Sequence, residues 1–164
     1  MDQKIINWQW PNPHIQKIKV LSEHTDRLGH TNNVRYLEWL EAIAWDHIES
    51  LGCGWETMEK LGKAMAIIRT EIDYRAASYE SNELLLGTWV TSSDKRFLCE
   101  RHFQLFRTSD AKIILDAKMV FACIVLKSGQ PTKMPNEFIT ALEKGLKLNQ
   151  ATISQQKQKK EPLL

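Results

Sequence analysis

The chain reads as an α+β protein in which a curved antiparallel sheet wraps one long central helix. Three observations carry that expectation. Tyr36, Leu37, Leu40, Ile43, Ala44, His47, Ile48 and Leu51 recur at helical spacing and stop at Gly52. From Ala66 the period changes to two, with Ala66, Ile68, Thr70, Ile72 and Tyr74 alternating against Ile67, Arg69, Glu71, Asp73 and Arg75. The apolar face of the helix is also wide for a surface helix, so the sheet is expected to curl round it.

The elements follow in order. Residues 1–13 carry Trp8, Trp10, Pro11 and Pro13, a stiff non-helical arm whose tryptophans need somewhere to dock. Ile15 to Ser22 alternates as a strand, with Ile18 and Val20 against Lys17 and Lys19. The helix is expected over Asn33–Leu51, and residues 52–63 read as a turn plus one helical turn. Leu84 to Thr91 is a second strand after Ala66–Arg75, with a bulge expected at Gly87. Phe97–Arg107 is entered through Ser93-Asp94-Lys95-Arg96, and Ser109-Asp110 reads as a tight hairpin turn into Ile113–Leu126. That last strand is the longest and is expected to form an exposed edge for self-association, helped by Trp39 and Trp89 as surface aromatics. Ser128-Gly129-Gln130-Pro131 ends the sheet, and Met134-Pro135-Asn136 opens a short helix through Phe138, Ile139, Leu142 and Leu146. One domain is therefore expected over residues 1–148, with a disordered polar tail over 149–164.

Composition narrows the function classes. At 164 residues the chain suits one domain with a sizeable core. Lys plus Arg exceed Asp plus Glu by 22 − 20 = 2, too little to point to nucleic acid. No apolar run approaches the ~20 residues of a membrane span, and the first residues lack a secretory signal. Cys53, Cys99 and Cys123 are odd in number with no Cys-x-x-Cys spacing. They read as reduced, buried thiols of a cytoplasmic protein, with no metal cluster and no cofactor motif.

The densest chemistry lies just before the long helix, in His24-Thr25-Asp26-Arg27-Leu28-Gly29-His30-Thr31-Asn32-Asn33. Asp, Gly and Asn here are first of all turn and cap residues. Yet a carboxylate and an imidazole beside a helix N-terminus also suit chemistry. The free N–H groups and the dipole favour negative charge, including charge that develops only in a transition state.

The string Asp26-x-x-Gly29-His30-Thr31-Asn32-Asn33-x-x-Tyr36-x-x-Trp39 resembles the active-site segment of hot-dog-fold acyl thioesterases, in the 4-hydroxybenzoyl-CoA thioesterase-like and acyl-ACP thioesterase-like branches. With its flanking strands the resemblance covers about Ile15 to Asn136. His24 stands where the first Asp of Asp-x-Asp is usual, and Thr31 replaces the usual Val. Leu28 occupies the position of the plant acyl-ACP enzymes' catalytic Asn, so that mechanism does not carry over whole.

The resemblance implies the hot-dog fold and hydrolysis of an acyl-CoA thioester, or an acyl-ACP one, by a cofactor-free homodimer or homotetramer. It implies Asp26 as general base or nucleophile, the backbone N–H of Asn33 as oxyanion donor, and His30 as a group that orients water or binds the carbonyl. Tyr36 and Trp39 are expected to line the acyl tunnel or pack the dimer, with core packing the plainer role for each. Glu41 is the rival carboxylate, more than two turns into the helix. Arg69, Arg75, Lys95, Arg96 and Arg101 form a scatter of cations that could meet coenzyme A phosphates, none of them singled out. The alternatives are a non-catalytic acyl-binding protein of the same fold and a hot-dog hydratase or dehydratase.

Overall fold

The computed structural model describes residues 5–158, with side chains placed as far as Asn149. Its elements are β1 (His14–Lys19), a single 3-10 turn (Ser22–His24), α1 (Asn33–Ser50), α2 (Trp55–Leu61), β2 (Lys63–Tyr74), β3 (Glu83–Ser93), β4 (Leu98–Arg107), β5 (Lys112–Val125) and α3 (Asn136–Gln158). The five strands form one antiparallel sheet in the order β1-β3-β4-β5-β2. Register shifts at Ile67/Arg69, Val90/Ser92 and Leu105/Phe106 bend it. Bulges of this kind add twist and let a sheet curl. Among the described residues no helix is long and apolar enough to cross a membrane.

α1 starts where its cap dictates. The Asn32 side chain accepts from the Val34 N–H (3.0 Å), and the chain reaches it through Gly29, whose φ of 74° is a left-handed conformation that glycine takes without strain. Tyr36, Leu40, Ile43 and Ala44 then pack on Ile18, Leu84, Leu86, Phe103, Leu105 and Leu115 of the concave sheet face. A second cluster joins the C-terminal end of α1 (Ile48, Leu51) to Met58 of α2, Val90, Cys99 and Cys123 of the sheet, and Phe138, Ala141 and Leu142 of α3. Burying an apolar side chain of this size stabilises by roughly 1.5–3 kcal/mol, so these contacts fix where α1 lies.

Several expectations change. The sheet curls round α1 as expected and buries a stripe of it, but Leu37 and Trp45 stay 37% and 42% exposed within the single chain. β5 is not an edge, because β4 and β2 flank it; the free edges belong to β1 and β2. Trp89 is fully buried, since the N-terminal arm folds back over it. Trp8 and Trp10 pack against its ring at 5.7 and 5.5 Å, and its indole N–H donates to the Pro11 carbonyl (2.9 Å). Gly87 carries no bulge; it makes room for the arm, because a Cβ there would lie 2.7 Å from the Trp8 ring. The C-terminal helix is not short but runs on to Gln158. Asn149, placed in the disordered tail from composition, is buried and donates its side-chain amide to the Val90 carbonyl. The remainder of that tail, residues 159–164, lies outside the described residues.

Candidate active site

The segment before α1 folds into a compact loop. The Asp26 N–H donates to the His30 carbonyl (2.9 Å) and the Gly29 N–H to the Asp26 carbonyl (3.0 Å). One carboxylate oxygen of Asp26, Oδ1, accepts from the Leu28 N–H at 2.8 Å. This is the turn-forming use of an aspartate. The other oxygen, Oδ2, has no partner among the described residues, and the side chain is exposed.

Around this loop lies a cavity of about 420 Å³, lined among others by Asp26, His30, Asn33, Tyr36, Tyr74 and Arg75. The structure thus brings together Asp26, His30, Asn33 and Tyr36. It does not bring Trp39 with them: that ring packs edge-on against His24 (5.3 Å) and Tyr36 (5.6 Å), beside the core. Glu41 is also elsewhere, on the exposed side of α1 beside a second cavity.

The start of α1 faces the first cavity with an open donor. Asn32 takes the N–H groups of Val34 and Arg35, through its side chain and its carbonyl respectively. No partner among the described residues takes the Asn33 N–H, and Asn33 lines the cavity. A helix N-terminus in this state is suited to an anion or a developing oxyanion. His30 is held by a bridge to Tyr79 and an edge-on ring contact at 5.3 Å.

A buried polar cluster supports this floor. Thr31 Oγ1 and Ser78 Oγ are 2.6 Å apart, Ser78 Oγ lies 2.8 Å from the Tyr36 hydroxyl, and the Thr31 N–H donates to the Ser78 carbonyl at 2.8 Å. Thr31 and Ser78 are buried, as is Tyr36. Thr31 therefore replaces an apolar residue with a hydroxyl that ties the motif to the β2–β3 loop. Ser78 was not singled out from the sequence. Its partner Thr31 is adjacent only after folding, 47 residues away.

The second cavity, about 340 Å³, lies between the C-terminal half of α1, α2 and strands β2, β4 and β5. Its lining is mostly apolar, but it includes Arg101, which is 4% exposed. Arg101 Nη1 donates to His47 Nδ1 at 2.6 Å. A guanidinium has no acceptor, so His47 must offer a lone pair and stay neutral. Burial, then the Arg101 charge and His14, push the His47 imidazole down to about 3. Burial lowers Arg101 to about 10, which leaves it cationic at neutral pH. Arg101 is thus not one of a scatter of solvated cations. The cysteines are buried free thiols, and burial raises Cys99 to about 12, far from nucleophilic thiolate. Among the described residues no group of His, Cys, Asp or Glu is placed to hold a metal ion.

A helix cradled by a curled five-stranded antiparallel sheet, with a polar motif at the helix N-terminus, defines the hot-dog class of proteins. The thioesterase-like superfamily profile matches residues 20–142. The chain belongs to that superfamily and is a hot-dog acyl thioester hydrolase. It is 29% identical over 133 residues to the long-chain acyl-CoA thioesterase FadM of Escherichia coli (strain K12), covering 80% of this chain and 98% of that one. Solved structures share the fold at lower identity. The DHNA-CoA thioesterase of Staphylococcus aureus is 20% identical with a TM-score of 0.75, over 84% of this chain and 93% of its own. A second Staphylococcus aureus protein, solved in complex with CoA, is 14% identical with a TM-score of 0.78, over 87% of this chain and 89% of its own.

Proposed function

We propose that this protein hydrolyses an acyl-CoA thioester to the free acid and coenzyme A at the N-terminus of α1, with Asp26 as general base or nucleophile. The observation that carries the reading is the placement of the Asp26 carboxylate, one oxygen unpartnered, and the open Asn33 N–H on one cavity. Hydrolysis needs a group to deliver water or attack the carbonyl, and a donor for the oxyanion that forms; these two meet both needs. His30, on the same wall, would orient the water or the carbonyl. Tyr36 contributes a wall rather than chemistry, because Ser78 engages its hydroxyl. The acyl-CoA carrier is the one named for FadM, and its length match to this chain supports the same class here. A cytoplasmic location accords with three unpaired cysteines.

A homodimer is part of the proposal. β2 is a twelve-residue free edge with Ile67 and Ile68 37% and 59% exposed, and such edges are normally paired or covered. Two-fold antiparallel pairing about its midpoint would set the Tyr74 end, beside the first cavity, against the Lys63 end of a second copy, beside the second cavity. The test is release of free coenzyme A from a panel of short, medium, long and aromatic acyl-CoA esters, with sedimentation at the assay concentration. No hydrolysis across the panel by folded protein would reject the activity, and a fully active monomer would reject the dimer.

A further inference from the structure

Arg101 poses a problem that hydrolysis at the other end of α1 does not solve. An unneutralised buried charge is costly, and buried charges are normally paired. Here the sole side-chain hydrogen-bond partner among the described residues is the neutral His47, and no carboxylate lies within ion-pair distance. The remaining guanidinium nitrogens are not sealed in protein: the one sealed side-chain atom without a partner among the described residues is Thr91 Oγ1. Arg101 also lines the second cavity, so open space lies beside the guanidinium.

We propose that this cavity binds a carboxylate carried on an apolar chain, the Arg101 guanidinium taking the carboxylate and Ile48, Met65, Phe121 and Leu142 the chain. A guanidinium presents its donors in a fork that matches a carboxylate, and His47 holds that fork in place from the side facing α1. Glu41 stands at the exposed side and Arg101 at the buried side, so an anion is held inside rather than at the mouth. The apolar lining disfavours a phosphate, which would bring more charge than one guanidinium offsets. At about 340 Å³ the space is near the lower end of the ~300–1,000 Å³ typical of ligand pockets, which suits a medium chain.

Two sources would present this group: the free acid released by hydrolysis, or an acyl group whose far end is itself a carboxylate. The primary test is calorimetric titration with octanoate and with octanol, which share a chain and differ in charge. It uses no thioester, so it stands apart from the assignment of hydrolysis to Asp26. Octanoate is expected to bind at least ~10-fold more tightly than octanol, the equivalent of about 1.4 kcal/mol. Arg101→Met should abolish that preference and Arg101→Lys retain part of it. Ala44→Leu fills the cavity without touching the charge, should lose both ligands, and decides the matter if Arg101→Met does not fold. Turnover of octanoyl-CoA and suberoyl-CoA then separates the sources. An Arg101-dependent preference for suberoyl-CoA assigns the far end of the acyl group, and competitive inhibition by octanoate without it assigns the released acid. Equal binding of octanoate and octanol to the wild type, a preference that survives in folded Arg101→Met, or octanoate binding undisturbed by Ala44→Leu would each overturn the proposal.

Discussion

The two ends of α1 treat polar groups in opposite ways. At the N-terminal end Asp26 is exposed, half committed to a local turn, and beside an open helix N–H. At the other end, about 16 Å further along the axis by Ala44, Arg101 is buried in an apolar wall with a neutral imidazole for company. The first arrangement keeps a carboxylate in contact with water, as proton transfer and hydrolysis require. The second sets a cation within apolar walls, where any charge interaction that reaches it is less screened. Under the proposed function, one helix separates an exposed reactive end from a buried recognising end.

Asp26→Asn makes the largest break in that contrast. Asn keeps the acceptor for the Leu28 N–H, so the turn and fold should survive. It cannot take a proton or attack a carbonyl, so kcat should fall at least ~100-fold with KM little changed. Glu41→Gln, on the exposed face beside the other cavity, should be mild. Near-normal kcat in well-folded Asp26→Asn, or a crippled Glu41→Gln, would move the chemistry to the wrong end of the helix for this account.

Ser78→Ala tests whether the floor of the exposed end is a working network. It leaves the Tyr36 hydroxyl buried without its partner, while Thr31 keeps its bond to the Ser78 carbonyl, at a cost of ~1–3 kcal/mol in denaturant unfolding. Unchanged stability would mean that water replaces the lost partner.

Acid pH probes the buried end instead. The folded His47 imidazole, held to about 3, is neutral in a range where the unfolded one takes a proton near 6.5. The unfolded state therefore binds more protons between about pH 6.5 and pH 3, and stability falls as pH falls through that window. The slope reaches up to ~1.4 kcal/mol per pH unit for this one group. The His14 ring stacks on His47 and pairs with Asp46, so both groups lie in its surroundings. Subtracting the curve of His47→Gln isolates the contribution; parallel curves for the two proteins would show that His47 is not the group responsible.

The smallest effect is expected from removing residues 150–164, beyond the buried Asn149. They are polar apart from a few residues, so melting temperature and hydrolysis should hold. A loss of several degrees would show that the segment beyond Asn149 supports the fold.

What the sequence determined alone is local. The cap Asn32, the turn at Gly29 and the apolar stripe from Tyr36 to Ile48 depend on neighbours a few residues apart, and α1 begins at Asn33 as read. The period of two placed β2 to β5, and the motif residues Asp26, His30 and Asn33 do share a cavity. Tertiary structure decided the rest, because an alternating pattern names a strand's faces but not its neighbours. Length suggested Ile113–Leu126 as an edge; pairing with both β4 and β2 made it interior. Trp89 was open in the sequence and is closed by an arm some 80 residues away. Arg101 shows the boundary most clearly. The inward run Cys99, Arg101, Phe103, Leu105 placed it on the core face, which was the available signal, while its charge argued for the surface. Only the approach of His47 from α1, 54 residues distant, and a cavity left between α1 and the sheet settle where that cation sits. Periodicity is a property of the backbone's own geometry, whereas burial of a charge depends on what the rest of the chain brings to meet it.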